Sequence, residues 1–441
     1  MSDAKRPVGV ALIGMGTVGT EVLRYMETNG DELAARIGAP LEIRGIAVRD
    51  TSKDRGVDPS LLTDDPVSLT LRDDVDVVVE VMGGIDIAKP LLIGALNAGK
   101  AVVTANKALL AEYTDELAEA ADSTESDLYF EAAVAGAIPV LGPLRRSMAG
   151  DQVERVVGIV NGTTNFILSE MGSTGAAYSE TLAEASRLGY AEADPTADVE
   201  GYDAAAKAAI LASIAFHSRV TAKDVYREGI SAITPAQFES ARHMECTIKL
   251  LALCEKVRRT DGTEAVSARV YPALIPLGHP LASVDGAYNA VVVEAEAAGR
   301  LMFYGQGAGG APTSSAVLGD IVSVARRKVL GGRGQMPQQV RESGSILPIA
   351  RVTTRYQLTL EVFDRPGVLL RVAEVVATEG VSIELVQQTR LEDTAADGTP
   401  RAKLVIATHS ALESSLAATV DSLAALEVVE SVKSVLRIEG A

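Results

Sequence analysis

The chain has 441 residues, 47% of them hydrophobic, two cysteines and a formal net charge of −18 at pH 7. That length suits roughly three domains, and the apolar content excludes a disordered or fibrous chain. Such acidity repels phosphate backbones and anionic lipid, so neither nucleic acid nor a membrane surface is an expected partner.

The opening MSDAKRPVGVALIGMG runs straight into a strand and its turn, so no secretory leader is read there. No run of about 18 apolar residues suggests a bilayer span. With two cysteines a disulfide framework is excluded, and a reducing, cytoplasmic setting is expected.

VGVALIGMG predicts a strand entering a glycine turn, and TVGTEVLRYMETNGDELAARIG a helix with a continuation. LEIRGIAVRD and DVDVVVEVMGG read as further strands, AKPLLIGALNAGK as a helix, AVVTANK as a strand and ALLAEYTDELAEAA as a helix before LYFEAAVAG. Apolar strands that do not alternate, separated by helices, imply a parallel sheet covered on both faces. The fold class is therefore α/β, with a Rossmann-type doubly wound domain over residues 1–136.

Residues 137–330 mix strands (VERVVGIVNG, EAVSARVYPALIPLG, YNAVVVEAEAAGRLMFYGQG) with helices (SETLAEASRLG, YDAAAKAAILASIAFHS) and predict an α+β catalytic and dimerisation domain. Its last helix, TSSAVLGDIVSVARRKV, could return to pack on the first domain. The stretch HMECTIKLLALCEK has helical periodicity, so Cys246 and Cys254 are read near one helix face as buried, unreactive thiols. Residues 331–352, rich in Gly, Pro and polar residues, read as a linker. Residues 353–441 run β-α-β-β-α-β, a ferredoxin-like order, with a turn at DTAADGTP.

Gly14, Gly16 and Gly19 form G-x-G-x-x-G between the first strand and helix. The first glycine makes the turn, the second admits a pyrophosphate to the backbone, and the third lets helix and strand pack. Thr17 and Val18 line that loop. At the end of the second strand, Ala47-Val48-Arg49-Asp50 offers an arginine for the 2′-phosphate of NADP and an acid for the ribose of NAD. NADP is the preferred reading, with NAD open.

Glu192, Asp194, Asp198, Glu200 and Asp203 crowd together with Lys207 to answer them. Asp203 and Lys207, four apart on a helix, share a face. A lysine beside carboxylates at a partly buried site can be tuned for proton transfer; the alternative is a surface ion pair. Lys107, after a strand of the dinucleotide half, stands where open α/β sheets bind ligands. His217, His243, His279 and His409 show no metal-ligand spacing, so no zinc site is implied.

Taken in order, GMGTVG, TANK, FEAAVAGAIP, GIVNGTTNFIL, LGYAEADPTADVEGYDAAAK and YGQGAGGAPTSSAV resemble homoserine dehydrogenase over about residues 8–330. The resemblance implies reduction of L-aspartate 4-semialdehyde to L-homoserine. It implies Lys207 as proton donor, Lys107 at the same oxygen or on the cofactor, Glu192 and Asp203 on the substrate ammonium, and Asp198 in support. Gly189 and Gly307 would approach the cofactor. The FEAAVAGAIP loop would hold a monovalent cation, usually Na+, through Glu131 and the carbonyls of Val134, Gly136 and Ile138. Asn161, Gly162, Thr163 and Thr164 would form a substrate-facing turn with dimer contacts, or only a structural turn. A homodimer or homotetramer is expected.

The last domain resembles an ACT domain, which implies an amino-acid effector, expected to be L-threonine, near Asp364, Pro366 and Gly367; the alternative is a dimerisation module that binds nothing. Two rival functions remain. An aldehyde dehydrogenase would need a reactive cysteine in a polar turn. A non-catalytic sensor would have no use for both lysines and the carboxylate set.

Overall fold

The computed structural model describes residues 6–259, 261–332, 345–394 and 399–440. Most of the predicted linker (333–344) and the tip of the predicted turn (395–398) lie outside the described residues.

Strands β1 (Val8–Ile13), β2 (Leu41–Ala47), β3 (Leu62–Thr63), β4 (Val77–Glu80), β5 (Ala101–Thr104) and β6 (Leu128–Tyr129) form one parallel sheet in the order β3-β2-β1-β4-β5-β6. Its helices are α1 (Thr17–Thr28), α2 (Gly30–Ile37), α3 (Pro66–Thr70), α4 (Ala88–Asn97) and α5 (Lys107–Ser123). Every residue of β1, β4 and β5 is buried, because both faces carry helices. Val8, Val10 and Leu12 pack on Val22, Leu23 and Met26 of α1. Ala11 and Ile13 face Leu92 and Leu96 of α4 and Leu109 of α5. The order reverses between β1 and β4, so ligands are expected at the carboxyl ends of those strands.

The second layer holds β7 (Val153–Ile159), α6 (Gly162–Thr174), α7 (Tyr178–Arg187), α8 (Thr196–Val199), α9 (Tyr202–Phe216), β8 (Tyr226–Arg227), α10 (Pro235–His243), β9 (Cys246–Arg258), β10 (Glu264–Pro276), β11 (Tyr288–Ala295) and β12 (Gly299–Gln306). The stretch expected to be helical around the cysteines is strand β9, paired antiparallel with β10 from Cys246↔Pro276 to Arg258↔Glu264. Its run from Ile248 to Cys254 is buried on both faces, and an apolar run with no wet face has no period to separate strand from helix. Helix α11 (Gly310–Val329) then crosses back to the first sheet, where Val317, Ile321 and Val324 close the core over α1. Cutting Ile321 to Ala there should cost about 2–5 kcal/mol.

The end of the predicted linker is docked: β13 (Ser345–Ile346) pairs with β10, and Leu347 and Val352 pack on Ala265. Then come β14 (Thr353–Thr354), β15 (Tyr356–Phe363), α12 (Val368–Thr378), β16 (Ile383–Thr394), β17 (Pro400–Thr408), β18 (Ala411–Leu412), α13 (Glu413–Ala424) and β19 (Val429–Ile438). The four long strands lie in the ferredoxin-like order β19-β15-β17-β16. They are not a separate sheet: β19 pairs in parallel with β10 at Ala273↔Arg437 and Leu274↔Ile438, giving one path β12-β11-β7-β9-β10-β19-β15-β17-β16.

Candidate active site

The turn after β1 is built by close approach. A Cβ on Gly14, whose φ is +103°, would stand 2.9 Å from the Met82 backbone, and one on Gly19 would stand 2.2 Å from the Gly14 carbonyl oxygen. Gly16, by contrast, faces open space and starts α1 with no side-chain cap. Free amides at a helix N-terminus beneath open space are a cradle for an anion, so this turn fits a dinucleotide pyrophosphate. Thr17 is exposed and Val18 half-buried beside it. Gly310 at the start of α11 presses on Thr17, which brings the 307–310 loop to the same place. At the end of β2, Ala47 is buried and Arg49 exposed. The Asp50 carboxylate is turned onto its own loop, accepting from the Ser52 N–H (2.9 Å) and hydroxyl (2.6 Å).

Lys107 is the first residue of α5, and Lys207 sits in the second turn of α9; the fold brings them to one carboxylate. Asp203 bridges them, with Oδ1 against the Lys107 ammonium and Oδ2 2.7 Å from Lys207 Nζ. Burial alone would raise the Asp203 carboxyl, but Lys207 and then Lys107 hold it well below the usual carboxylate range. Burial lowers the Lys207 ammonium, and Asp203 recovers only part of that. Lys207 also donates to the Val160 carbonyl at 2.7 Å, so one of its three N–H donors is left.

Helix α9 carries Asp203 in its first turn, where a carboxylate suits the helix dipole. Asn161 caps α6, accepting from the Thr164 N–H at 2.9 Å. Its amide nitrogen donates to Asp198 at 2.7 Å and Asp203 at 2.8 Å. Thr163 donates to the Tyr190 carbonyl at 2.7 Å. Asn161, Thr163 and Thr164 are buried within the chain, and Asn161 ties the turn to the two carboxylates. Gly189 ends the α7 turn with φ +80°. Glu192 lies exposed after it, with no hydrogen bond or ion pair to the cluster among the described residues.

The 131–138 loop is buried and sharply turned, with Ala135 (φ 58°) and Gly136 (φ 53°) both left-handed. Val134, Gly136 and Ile138 are in it, and Gly136 abuts the Gly307 carbonyl. The Glu131 carboxylate accepts the amides of Val140 and Leu141 (both 2.7 Å) and Gly142 (2.6 Å). Three donors leave that carboxylate about one acceptor site. The Glu131 N–H donates to Asp320 on α11 at 2.8 Å. Burial pushes the Asp320 carboxyl up to about 7. Carbonyl oxygens are hard donors that suit a hard monovalent ion; no group of three His, Cys, Asp or Glu fits a metal among the described residues.

In the C-terminal module, α12 opens at Gly367 (φ 89°) with no side-chain cap. Asp364 accepts from the Gln388 amide of β16 at 3.0 Å, and Pro366 lies between them in sequence. Sequence reasoning missed Glu80, Thr104, Asn106 and Asp320; an acid ending the otherwise apolar strand VVVE was the available signal for the first.

Residues 14–131 match the family profile described as homoserine dehydrogenase, NAD binding domain, residues 139–322 that of homoserine dehydrogenase, and residues 356–428 the ACT domain. A homoserine dehydrogenase of Mycobacterium tuberculosis is 60% identical over 442 residues, covering 100% of this chain and 99% of the relative. Among solved structures, a homoserine dehydrogenase from Thiobacillus denitrificans superposes with a TM-score of 0.89 at 38% identity, covering 98% of each chain. A hyperthermophilic archaeal homoserine dehydrogenase in complex with NADPH superposes at 0.61 with 27% identity, over 75% of this chain and 100% of that one.

Proposed function

This chain belongs to the homoserine dehydrogenase family, a nicotinamide-dependent oxidoreductase with an ACT module, and from that premise we propose how its residues divide the work. The reaction interconverts homoserine and L-aspartate 4-semialdehyde. The observation that carries the assignment is the convergence of Lys107 and Lys207 on buried Asp203.

The bound nicotinamide supplies or accepts the hydride. Gly14, Gly16, Thr17, Val18 and Gly19 would hold its pyrophosphate and Ala47 and Arg49 its adenosine end, with Gly189 and Gly307 approaching the cofactor. Lys207 gives its remaining N–H to the aldehyde oxygen and protonates the alkoxide. Lys107 supports the same oxygen or the cofactor. Three groups already donate to or pair with Asp203, so it has about one acceptor site left for the substrate ammonium. Asp198 and Glu192 carry the rest. The decisive assay is NADPH oxidation with aspartate semialdehyde in wild type and Lys207→Ala. Near-normal turnover in the variant would end the assignment.

NADP over NAD is supported by exposed Arg49, by the Asp50 carboxylate being occupied in its own turn, and by the NADPH-bound archaeal relative. Repeating the assay with NADH tests it. A Na+ site at Glu131 and the carbonyls of Val134, Gly136 and Ile138 is tested by replacing NaCl with choline chloride.

L-threonine as effector, at the Asp364–Pro366–Gly367 turn, rests on the uncapped start of α12, whose amides suit a carboxylate. Because β19 is part of the catalytic sheet, Asp364→Ala in the full chain is a cleaner test than truncation. Equal threonine inhibition of both forms would remove the site. A homodimer or homotetramer is supported by the exposed edge strand β12, with Leu301, Met302 and Tyr304 outward; ultracentrifugation decides. A cytoplasmic location rests on acidity and two free, buried thiols. Among the described residues no helix is long and apolar enough to cross a membrane.

A further inference from the structure

We propose that Glu80 is a positioning residue for Lys107, a buried carboxylate that ties the turn after β4 to the turn after β5 and so sets where the lysine stands. Glu80 is wholly inaccessible, and no cation is paired with it among the described ion pairs. Its Oε1 accepts the amides of Met82 and Gly83, both at 2.9 Å. Its Oε2 accepts the Thr104 hydroxyl at 2.6 Å.

From Thr104 the bonds run on to the lysine. Thr104 Oγ1 accepts the Asn106 N–H at 3.0 Å. Asn106 then caps α5, taking the Leu109 amide at 3.1 Å, and its side-chain nitrogen returns to the Gly84 carbonyl at 2.6 Å. The two turns are thus cross-braced at two levels, and Lys107 is the first residue beyond the brace. The same carboxylate fixes Met82, against whose backbone Gly14 packs, so the phosphate turn is referenced to it too.

A carboxylate is suited to this because its two oxygens accept several bonds at once. A buried polar group is tolerated only when so satisfied, which keeps the brace intact or lost as a unit. Both turns lie at the carboxyl ends of neighbouring strands, where a displacement of about 1 Å can cost a hundredfold in rate.

The inference rests on Lys107 acting at the site, and a double-mutant cycle separates the two claims. NADPH oxidation is measured for wild type, Glu80→Ala, Lys107→Ala and the double variant, with thermal midpoints for each. If Glu80 acts through Lys107, Glu80→Ala lowers kcat about tenfold or more, and the double variant is no slower than Lys107→Ala within roughly twofold. Glu80→Gln, which keeps an acceptor for the two amides and a donor for Thr104, restores most of the rate. Losses that multiply in the double variant would overturn the inference and leave Glu80 a structural acid. A Lys107→Ala enzyme as fast as wild type would instead overturn the reading of Lys107. Should Glu80→Ala fail to fold, Thr104→Val, which keeps the volume and cuts the link, is put through the same cycle. A wild-type rate in folded Thr104→Val would refute the relay.

Discussion

Two clusters of charge, each around a buried carboxylate, are balanced in opposite senses. At the active site one carboxylate, Asp203, answers two lysines. Where the C-terminal module joins the catalytic sheet, two carboxylates answer one cation. Arg437 is 2.8 Å from Glu228 and 2.5 Å from Glu413, with the rings of Tyr271, Tyr226 and Tyr356 within 4.4–5.5 Å of its guanidinium. Burial would lower Arg437, but Glu228 and Glu413 hold it above its usual value. Burial, with Glu228, pushes the Tyr226 phenol up to about 12. Arg437 thus keeps its charge at any working pH. Lys207 is left undercompensated: burial lowers its ammonium and Asp203 recovers only part of that, which suits the proton transfer proposed for it. The ion at the junction is overcompensated and the one at the site undercompensated, which accords with a joint that holds two modules together and a site proposed to move a proton.

The sharpest way to break that contrast is to remove the undercompensated ion. Lys207→Ala should lower kcat by about a hundredfold to ten-thousandfold, while dinucleotide binding, followed by fluorescence titration, stays within reach of wild type. An equal loss of cofactor affinity would make Lys207 a binding residue and void the comparison.

Removing the overcompensated ion should act on stability instead. Arg437→Ala leaves buried Glu413 unpaired and should cost about 3–5 kcal/mol, seen as a lowered thermal midpoint. The same variant tests communication between the modules. Glu228, which holds Arg437, adjoins Arg227, whose guanidinium reaches the Glu200 carbonyl and lies 3.5 Å over the Tyr202 ring. Ile230 bonds Val199 at 2.8 Å. These contacts end on the residues just before Asp203, so effector inhibition should weaken in Arg437→Ala more than basal turnover does. Unchanged inhibition would sever the route.

Titration gives a smaller and more specific effect. On the role proposed for it, Lys207 must be neutral to take the proton in homoserine oxidation. Its pKa is lowered by burial and partly restored by Asp203, so the alkaline rise of kcat should begin below the range of an ordinary lysine. Asp203→Asn removes the restoring charge and should move that rise further toward acid, whatever it does to substrate affinity. A shift toward alkali would contradict the cause assigned. The Asp203 carboxyl itself is depressed, so its stabilisation is present above the usual carboxylate range. That stabilisation is lost only as pH falls through the lowered value.

What could be read in advance follows the range of the interactions. The glycine turn, the parallel strands and the Asp203–Lys207 pair are local, fixed by residues a few positions apart. The meeting of Lys107 with Asp203 needed the strand order as well, and only the rule for carboxyl ends of sheets hinted at it. Asn161 joins carboxylates 37 and 42 residues away, and Glu80 reaches Thr104 across 24; neither leaves a periodic trace. The join of β10 to β19 rests on two residue pairs, too few to shape a pattern. The one wrong element, β9, failed for the opposite reason: its burial on both faces erased the alternation that marks a strand.

That error bears on the smallest expected effect, which is none. Cys246 and Cys254 lie eight residues apart on β9, hence on the same face of the strand, buried against α9 and its neighbours. Cys254 donates to the Ala208 carbonyl, and burial pushes its thiol up to about 12; burial raises Cys246 as well. Neither is a thiolate at neutral pH, and neither can attack a carbonyl, which removes the acylating aldehyde dehydrogenase as a rival on chemical grounds. Iodoacetamide should therefore leave NADPH oxidation unchanged in the folded enzyme, and Cys254→Ala should keep its turnover while losing some stability to the small void. Time-dependent inactivation that Cys254→Ala abolishes would mean that the strand opens to solvent and that this buried sheet is less closed than the active-site cluster packed against it.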